Sequence, residues 1–160
     1  MMNINIICIG KLKEEYLRGA CAEYSKRLGA FCKLNIIELK ESRLPENPSA
    51  SEISAALKNE GESILAKVNQ SDYVTALCIE GKPVSSEELS EKIANTGVSG
   101  YGTVDFIIGG SFGLCAEVKN RADFKLSMSR MTFPHQLARV ILLEQIYRSF
   151  MISSGGKYHK

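Results

Sequence analysis

A chain of 160 residues, 44% hydrophobic and 24% charged, has the size and composition of one globular domain with a real core. No apolar run approaches the roughly 20 residues that cross a bilayer. The opening MMNINIICIGK lacks the basic region and cleavage site of a signal peptide, so a membrane role is not expected and the cytoplasm is. The formal charge of +2 conceals a basic end, because residues 119–160 hold eight Lys or Arg against Asp123 and Glu144. That distribution suits a polyanionic partner such as nucleic acid, or simply a solvated basic face.

Strand and helix signals alternate along the chain. Residues 3–9 are apolar and rich in isoleucine, and Gly10 ends the run. Leu17, Ala20, Cys21, Tyr24 and Leu28 recur at helical spacing over 14–28, and 34–39 reads as a second strand. ESRLPENPSAS, with two prolines, is a loop. Ser49 with Glu52 then forms a capping-box signature for a helix bearing Ile53, Leu57, Ile64, Leu65 and Val68. Gly61 is a weak point in that helix.

A third strand covers 73–79, and EGKP turns the chain. Ser85 with Glu88 opens a helix to about residue 95. A fourth strand lies at 104–108, a short helix near 116–122 and a fifth strand at 124–128. Pro134 suits the first turn of a last, long helix. Alternating strands and helices predict a single α/β domain over 1–160, built on a mainly parallel sheet flanked by helices. In such sheets ligands sit at the carboxyl ends of strands, which points to the loops after Ile79, Ile108 and Met128.

Three stretches could carry chemistry. In FIIGGSFGL, Gly109, Gly110 and Gly113 follow a strand directly and allow close backbone approach to a ligand. The pattern matches neither a dinucleotide fingerprint nor a P-loop. LSMSRMTFPHQ, residues 126–136, mixes hydroxyls, Arg130, the apolar Met131 and Phe133, and His135, groups able to hold a ribose and cover an adenine. The helix that follows is apolar almost all round, as expected of a helix buried on several sides or against a second subunit. The tail GGKYHK holds the second of only two histidines, His159. With two histidines, and five cysteines in no C-x-x-C pair, neither a metal site nor a disulfide framework is expected.

IIGGSFGL, LSMSRMTFPHQLARVILLEQIYR and the terminal YHK together resemble the RlmH family of ribosomal RNA methyltransferases, in the SPOUT class, over the whole length. The resemblance implies a C-terminal trefoil knot, an exception to the unknotted rule. It implies S-adenosyl-methionine as cofactor and a homodimer packed through the last helix. The implied substrate is N3 of a pseudouridine in a large-subunit rRNA stem-loop on the assembled ribosome. Carried over residue by residue, the cofactor contacts are Leu77, Gly109, Gly110, Ser129, Arg130, Met131, Thr132 and Phe133.

Methyl transfer to N3 must release a proton, and a histidine with its ordinary pKa of about 6.5 can accept one near neutrality. His159 is the expected base, with Tyr158 stacking on the nucleobase, and His135 is the rival. Arg139, Arg148 and Lys160 are the expected RNA contacts. Three other readings stand beside it: a non-catalytic ribosome-binding module, a small dinucleotide reductase, and a SPOUT methyltransferase acting on tRNA.

Overall fold

The computed structural model describes residues 1–160. Five strands, β1 (Asn3–Ile9), β2 (Lys33–Leu39), β3 (Tyr73–Pro83), β4 (Thr103–Ile108) and β5 (Phe124–Ser127), form one sheet in the order β2-β1-β4-β3-β5. Every pairing in it is parallel. The connections are α1 (Glu15–Leu28), α2 (Ala50–Leu65), α3 (Ser86–Val98) and α4 (Ala116–Arg121), and α5 (His135–Ser153) ends the fold. Both expected capping boxes form, Ser49 with Glu52 and Ser85 with Glu88.

The period-two alternation of the strands divides the core into two layers. Ile4, Ile6 and Cys8 of β1 and Val104, Phe106 and Ile108 of β4 face one way. There they meet Leu17 and Cys21 of α1, Leu89 and Ile93 of α3, and Leu142, Leu143 and Ile146 of α5. Ile7, Ile9 and Ile107 face the other way, onto Ile64 of α2 and Val118 of α4. Each such side chain contributes about 1.5–3 kcal/mol on burial. Gly61 is no weak point: a Cβ there would run into the Cys115 sulfur, so glycine lets α2 approach the start of α4.

The turn expected at EGKP is instead part of β3. The strand pairs with β5 through Leu77 opposite Leu126, and resumes with Lys82 opposite the same Leu126 and Pro83 opposite Ser127. Residues 78–81 therefore bulge out of the ladder. Gly81 makes the re-entry possible, because a Cβ there would lie 2.7 Å from the Lys125 carbonyl carbon and oxygen. The bulge sits at the carboxyl end of the sheet, where it forms one wall of a cavity.

Candidate cofactor cavity and C-terminal tail

The loops after β3, β4 and β5 enclose a cavity of about 850 Å³. Leu77 marks where β3 leaves its partner, and Cys78, Ile79 and Glu80 of the bulge form one side. Gly109 and Gly110 form the floor. A Cβ on Gly109 would sit 2.5 Å from the Gly113 carbonyl oxygen, so the turn closes only around glycine. Gly113 has φ +83 and donates its N–H to Gly110 O at 3.1 Å, closing the tight turn.

The β5–α5 loop supplies Ser129, Met131, Thr132 and Phe133, all on the cavity wall. Its shape is held locally. Ser127 Oγ donates to Ser129 O at 3.1 Å, and Ser129 Oγ accepts from Met131 N–H at 3.0 Å. Arg130 is the exception among the expected cofactor contacts: it is exposed on this loop and does not line the cavity. The wall also carries an ion pair the sequence did not reveal, Lys119 Nζ of α4 with Glu80 Oε1 of the bulge at 2.5 Å. Burial, with Glu80 beside it, raises the Cys78 thiol, which stays neutral on the wall.

His135 lines the cavity at the start of α5. It turns toward Gly10 at the carboxyl end of β1, where a Cβ would lie 3.8 Å from His135 Nε2 and 3.7 Å from Glu41 Oε2. Gly10 has φ +92, so the corner needs glycine for its backbone as well. Arg139 closes this corner from below, donating to Glu38 Oε2 at 2.8 Å and to Gly10 O at 3.2 Å. Only 3% of Arg139 is exposed, which corrects its expected role as an RNA contact. The guanidinium is buried and paired within the chain, and no phosphate can reach it.

Residues 158–160 do not enter their own chain's cavity, whose lining includes none of them. The tail folds back instead on α5 and the start of α3. The Tyr158 ring meets Tyr147 edge-on at 4.9 Å, under the Arg148 guanidinium at 4.7 Å, and its hydroxyl donates to Glu144 Oε1 at 3.1 Å. Burial and that carboxylate raise the phenol above its ordinary value, so it remains a donor. His159 Nδ1 lies 3.1 Å from Arg148 Nη1, and its Nε2 lies 2.7 Å from Glu87 Oε1. The contact with His159 holds the Glu87 carboxyl below its usual range.

Arg148 also grips Glu144 through Nη2 at 2.7 Å, so this second expected RNA contact is engaged by the tail and α5. Lys160 is exposed. The constellation is a half-buried aromatic and imidazole end, packed on α5 and α3 and outside the cavity lining.

A family model described as a predicted SPOUT methyltransferase matches residues 2–159. The chain belongs to the SPOUT methyltransferase family. Three relatives carry the name ribosomal RNA large subunit methyltransferase H. That of Clostridium novyi is 55% identical, covering 99% of this chain and all of its own. That of Oenococcus oeni is 52% identical with both chains fully covered, and that of Leuconostoc mesenteroides is 50% identical over 99% of this chain. A solved structure of a probable methylase from Haemophilus influenzae superposes with a TM-score of 0.54 at 17% identity, covering 99% of this chain and 71% of that one. At that identity it shows the fold alone, and the parallel sheet with its flanking helices fits the SPOUT knot fold.

Proposed function

We propose that this SPOUT protein is an S-adenosyl-methionine-dependent methyltransferase of large-subunit rRNA, acting at N3 of a pseudouridine on the assembled ribosome. The observation that carries the reading is the cavity, whose three walls come from the β3, β4 and β5 loops of a methyltransferase family. The relatives' shared name supports the ribosomal target over a tRNA one. A non-catalytic module would need no glycine-floored cavity.

The cavity suits the cofactor chemically. Its size is that of a small-molecule pocket. The glycine floor admits close backbone approach, Leu77, Met131 and Phe133 give apolar cover for an adenine, and Ser129 and Thr132 offer hydroxyls to polar groups. When bound, S-adenosyl-methionine supplies a methyl group made electrophilic by its sulfonium. The chain's own task is then to align the acceptor and remove its proton. His159 is the base in this account and His135 shapes the corner beneath the cavity.

Because the tail is held away from its own cavity, it serves the cavity of a second copy. The active unit is accordingly a homodimer in the cytoplasm, packed through α5. Leu137 on that helix is 41% exposed, and Ile79 and Met131 on the cavity rim are 61% and 70% exposed, apolar surface that a second copy would cover. Lys125, Arg130, Lys157 and Lys160 are exposed and make no ion pair within the chain, which leaves them free for rRNA phosphate.

The test is calorimetric titration with S-adenosyl-methionine, followed by single-turnover methylation of ribosomes lacking the modification. Saturable binding and one methyl per ribosome are expected. Absence of cofactor binding would overturn the methyltransferase reading and favour the module.

A further inference from the structure

Glu87 lies at the start of α3, 72 residues before His159, and reads in sequence as a helix-dipole acid. Its side chain is 60% exposed, so burial does not dictate where it points. It nevertheless reaches the tail, with Oε1 2.7 Å from His159 Nε2. On the other side of the same ring, Arg148 Nη1 stands 3.1 Å from Nδ1. A guanidinium has only donors and a carboxylate only acceptors. The two contacts are satisfied together by one neutral tautomer: Nδ1 accepts from Arg148 and Nε2–H donates to Glu87. The rest of the cradle is packed, with Tyr158 on Tyr147 and Glu144, while Glu144 holds Arg148 through Nε and Nη2 and leaves Nη1 to His159.

We propose that Glu87 is the positioning residue of the reaction: it keeps the His159 proton on Nε2, making Nδ1 the atom that takes the acceptor's proton. This rests on the reading of His159 as the base. In the step, the acceptor N–H bond breaks and its proton goes to Nδ1 as Arg148 Nη1 gives way. The electron pair left on the acceptor nitrogen forms the bond to the methyl carbon, and the carbon–sulfur pair leaves with sulfur as a neutral thioether. The resulting imidazolium keeps its Nε2–H on the Glu87 carboxylate, so the charge appears beside an anion already in place. Arg148 holds Nδ1 covered until substrate arrives.

The test combines a spectrum with kinetics. In protein labelled with ¹⁵N-histidine, long-range ring correlations at neutral pH report the tautomer, and the signals lost in H159A are those of His159, since only His135 remains. We expect wild type to show Nδ1 unprotonated and Nε2 protonated. E87Q keeps that pattern because an amide oxygen still accepts, whereas in E87A only Arg148 favours an unprotonated Nδ1, so both nitrogen shifts move part of the way toward averaged positions. On ribosomes from a strain lacking the protein, E87A slows single-turnover methylation at saturating S-adenosyl-methionine about 10-fold, a fraction of what a general base contributes. Cofactor affinity holds, and E87Q recovers most of the rate. An Nδ1–H tautomer in wild type, or an E87A spectrum matching wild type, overturns the proposal. A wild-type rate in H159A removes instead the reading of His159 as base, and leaves the tautomer to be judged by the spectra.

Discussion

Two residues show how the site is held from beneath. Gly109 admits no side chain, because its Cβ would collide with the Gly113 carbonyl. Gly109→Ala should therefore abolish S-adenosyl-methionine binding in calorimetry and cost about 1–3 kcal/mol in chemical denaturation. Arg139 is a buried cation with one carboxylate partner, Glu38, which is itself 35% exposed. Removing one partner of a fully buried pair costs about 3–5 kcal/mol, and partial exposure of Glu38 reduces that, so Arg139→Ala should lose about 2 kcal/mol. Its salt dependence of ribosome binding should stay that of wild type, since no phosphate meets it.

Asp105 sits at the opposite end of the sheet, on the layer facing α2 and α4. Asn5 donates to its Oδ1 at 2.7 Å, and its Oδ2 is buried with no partner. Burial, with Asp72 close by, raises its carboxyl to about 7. The folded state thus binds a proton that the unfolded chain, with an Asp near 3.9, releases. Stability from this group is complete below about pH 4 and is lost as pH rises to about 7. Asp105→Asn should remove that slope from denaturation measured between pH 5 and 8. A slope that persists unchanged in the variant would contradict the assignment.

Among the elements, those specified by neighbours in sequence were legible and those specified across the sheet were not. Ser49 with Glu52 and Ser85 with Glu88 mark their helices because a capping box is complete within four residues. The isoleucines of β1 and the apolar girth of α5 give both away for the same reason. EGKP reads as a turn because Gly and Pro are local punctuation, and nothing within reach reveals that Lys82 and Pro83 pair with β5 some 44 residues on. The cavity's glycines and its Ser129, Met131, Thr132 and Phe133 wall were legible through motif resemblance.

The resemblance did not reveal that Arg130 is exposed and outside the cavity lining. Nor could Arg139 be recognised as buried, since its partner lies 101 residues distant. Glu87 was hidden similarly: a carboxylate in a first helical turn has a sufficient local explanation, and its contact with His159 exists only once α3, α5 and the tail are assembled. At this scale Gly81→Ala is the informative change. It should disrupt the re-entry of β3 and weaken cofactor binding together with stability, read by calorimetry and thermal melting, whereas a simple turn would tolerate alanine.

At the scale of the whole molecule, cavity and tail belong to different ends of one chain, and the account joins them through two copies. Chains carrying Gly109→Ala keep a sound tail, and chains carrying His159→Ala keep a sound cavity. Each variant alone should be inactive, and co-refolded mixtures should regain methylation, because a mixed pair contains one complete site. Failure of any mixture to recover activity would place tail and cavity in the same chain. Docking should rest on counterion release by the exposed cations, so affinity should fall steeply with salt, and Lys160→Ala should reduce the log–log slope by about 1. The central claim concerns the acceptor atom, and mass-spectrometric mapping of large-subunit rRNA from a strain lacking this protein, before and after incubation of its ribosomes with the purified chain and S-adenosyl-methionine, tests it most directly. The account predicts one pseudouridine that gains a single methyl at N3; an rRNA map unchanged by incubation, or a methyl found on tRNA instead, would contradict it.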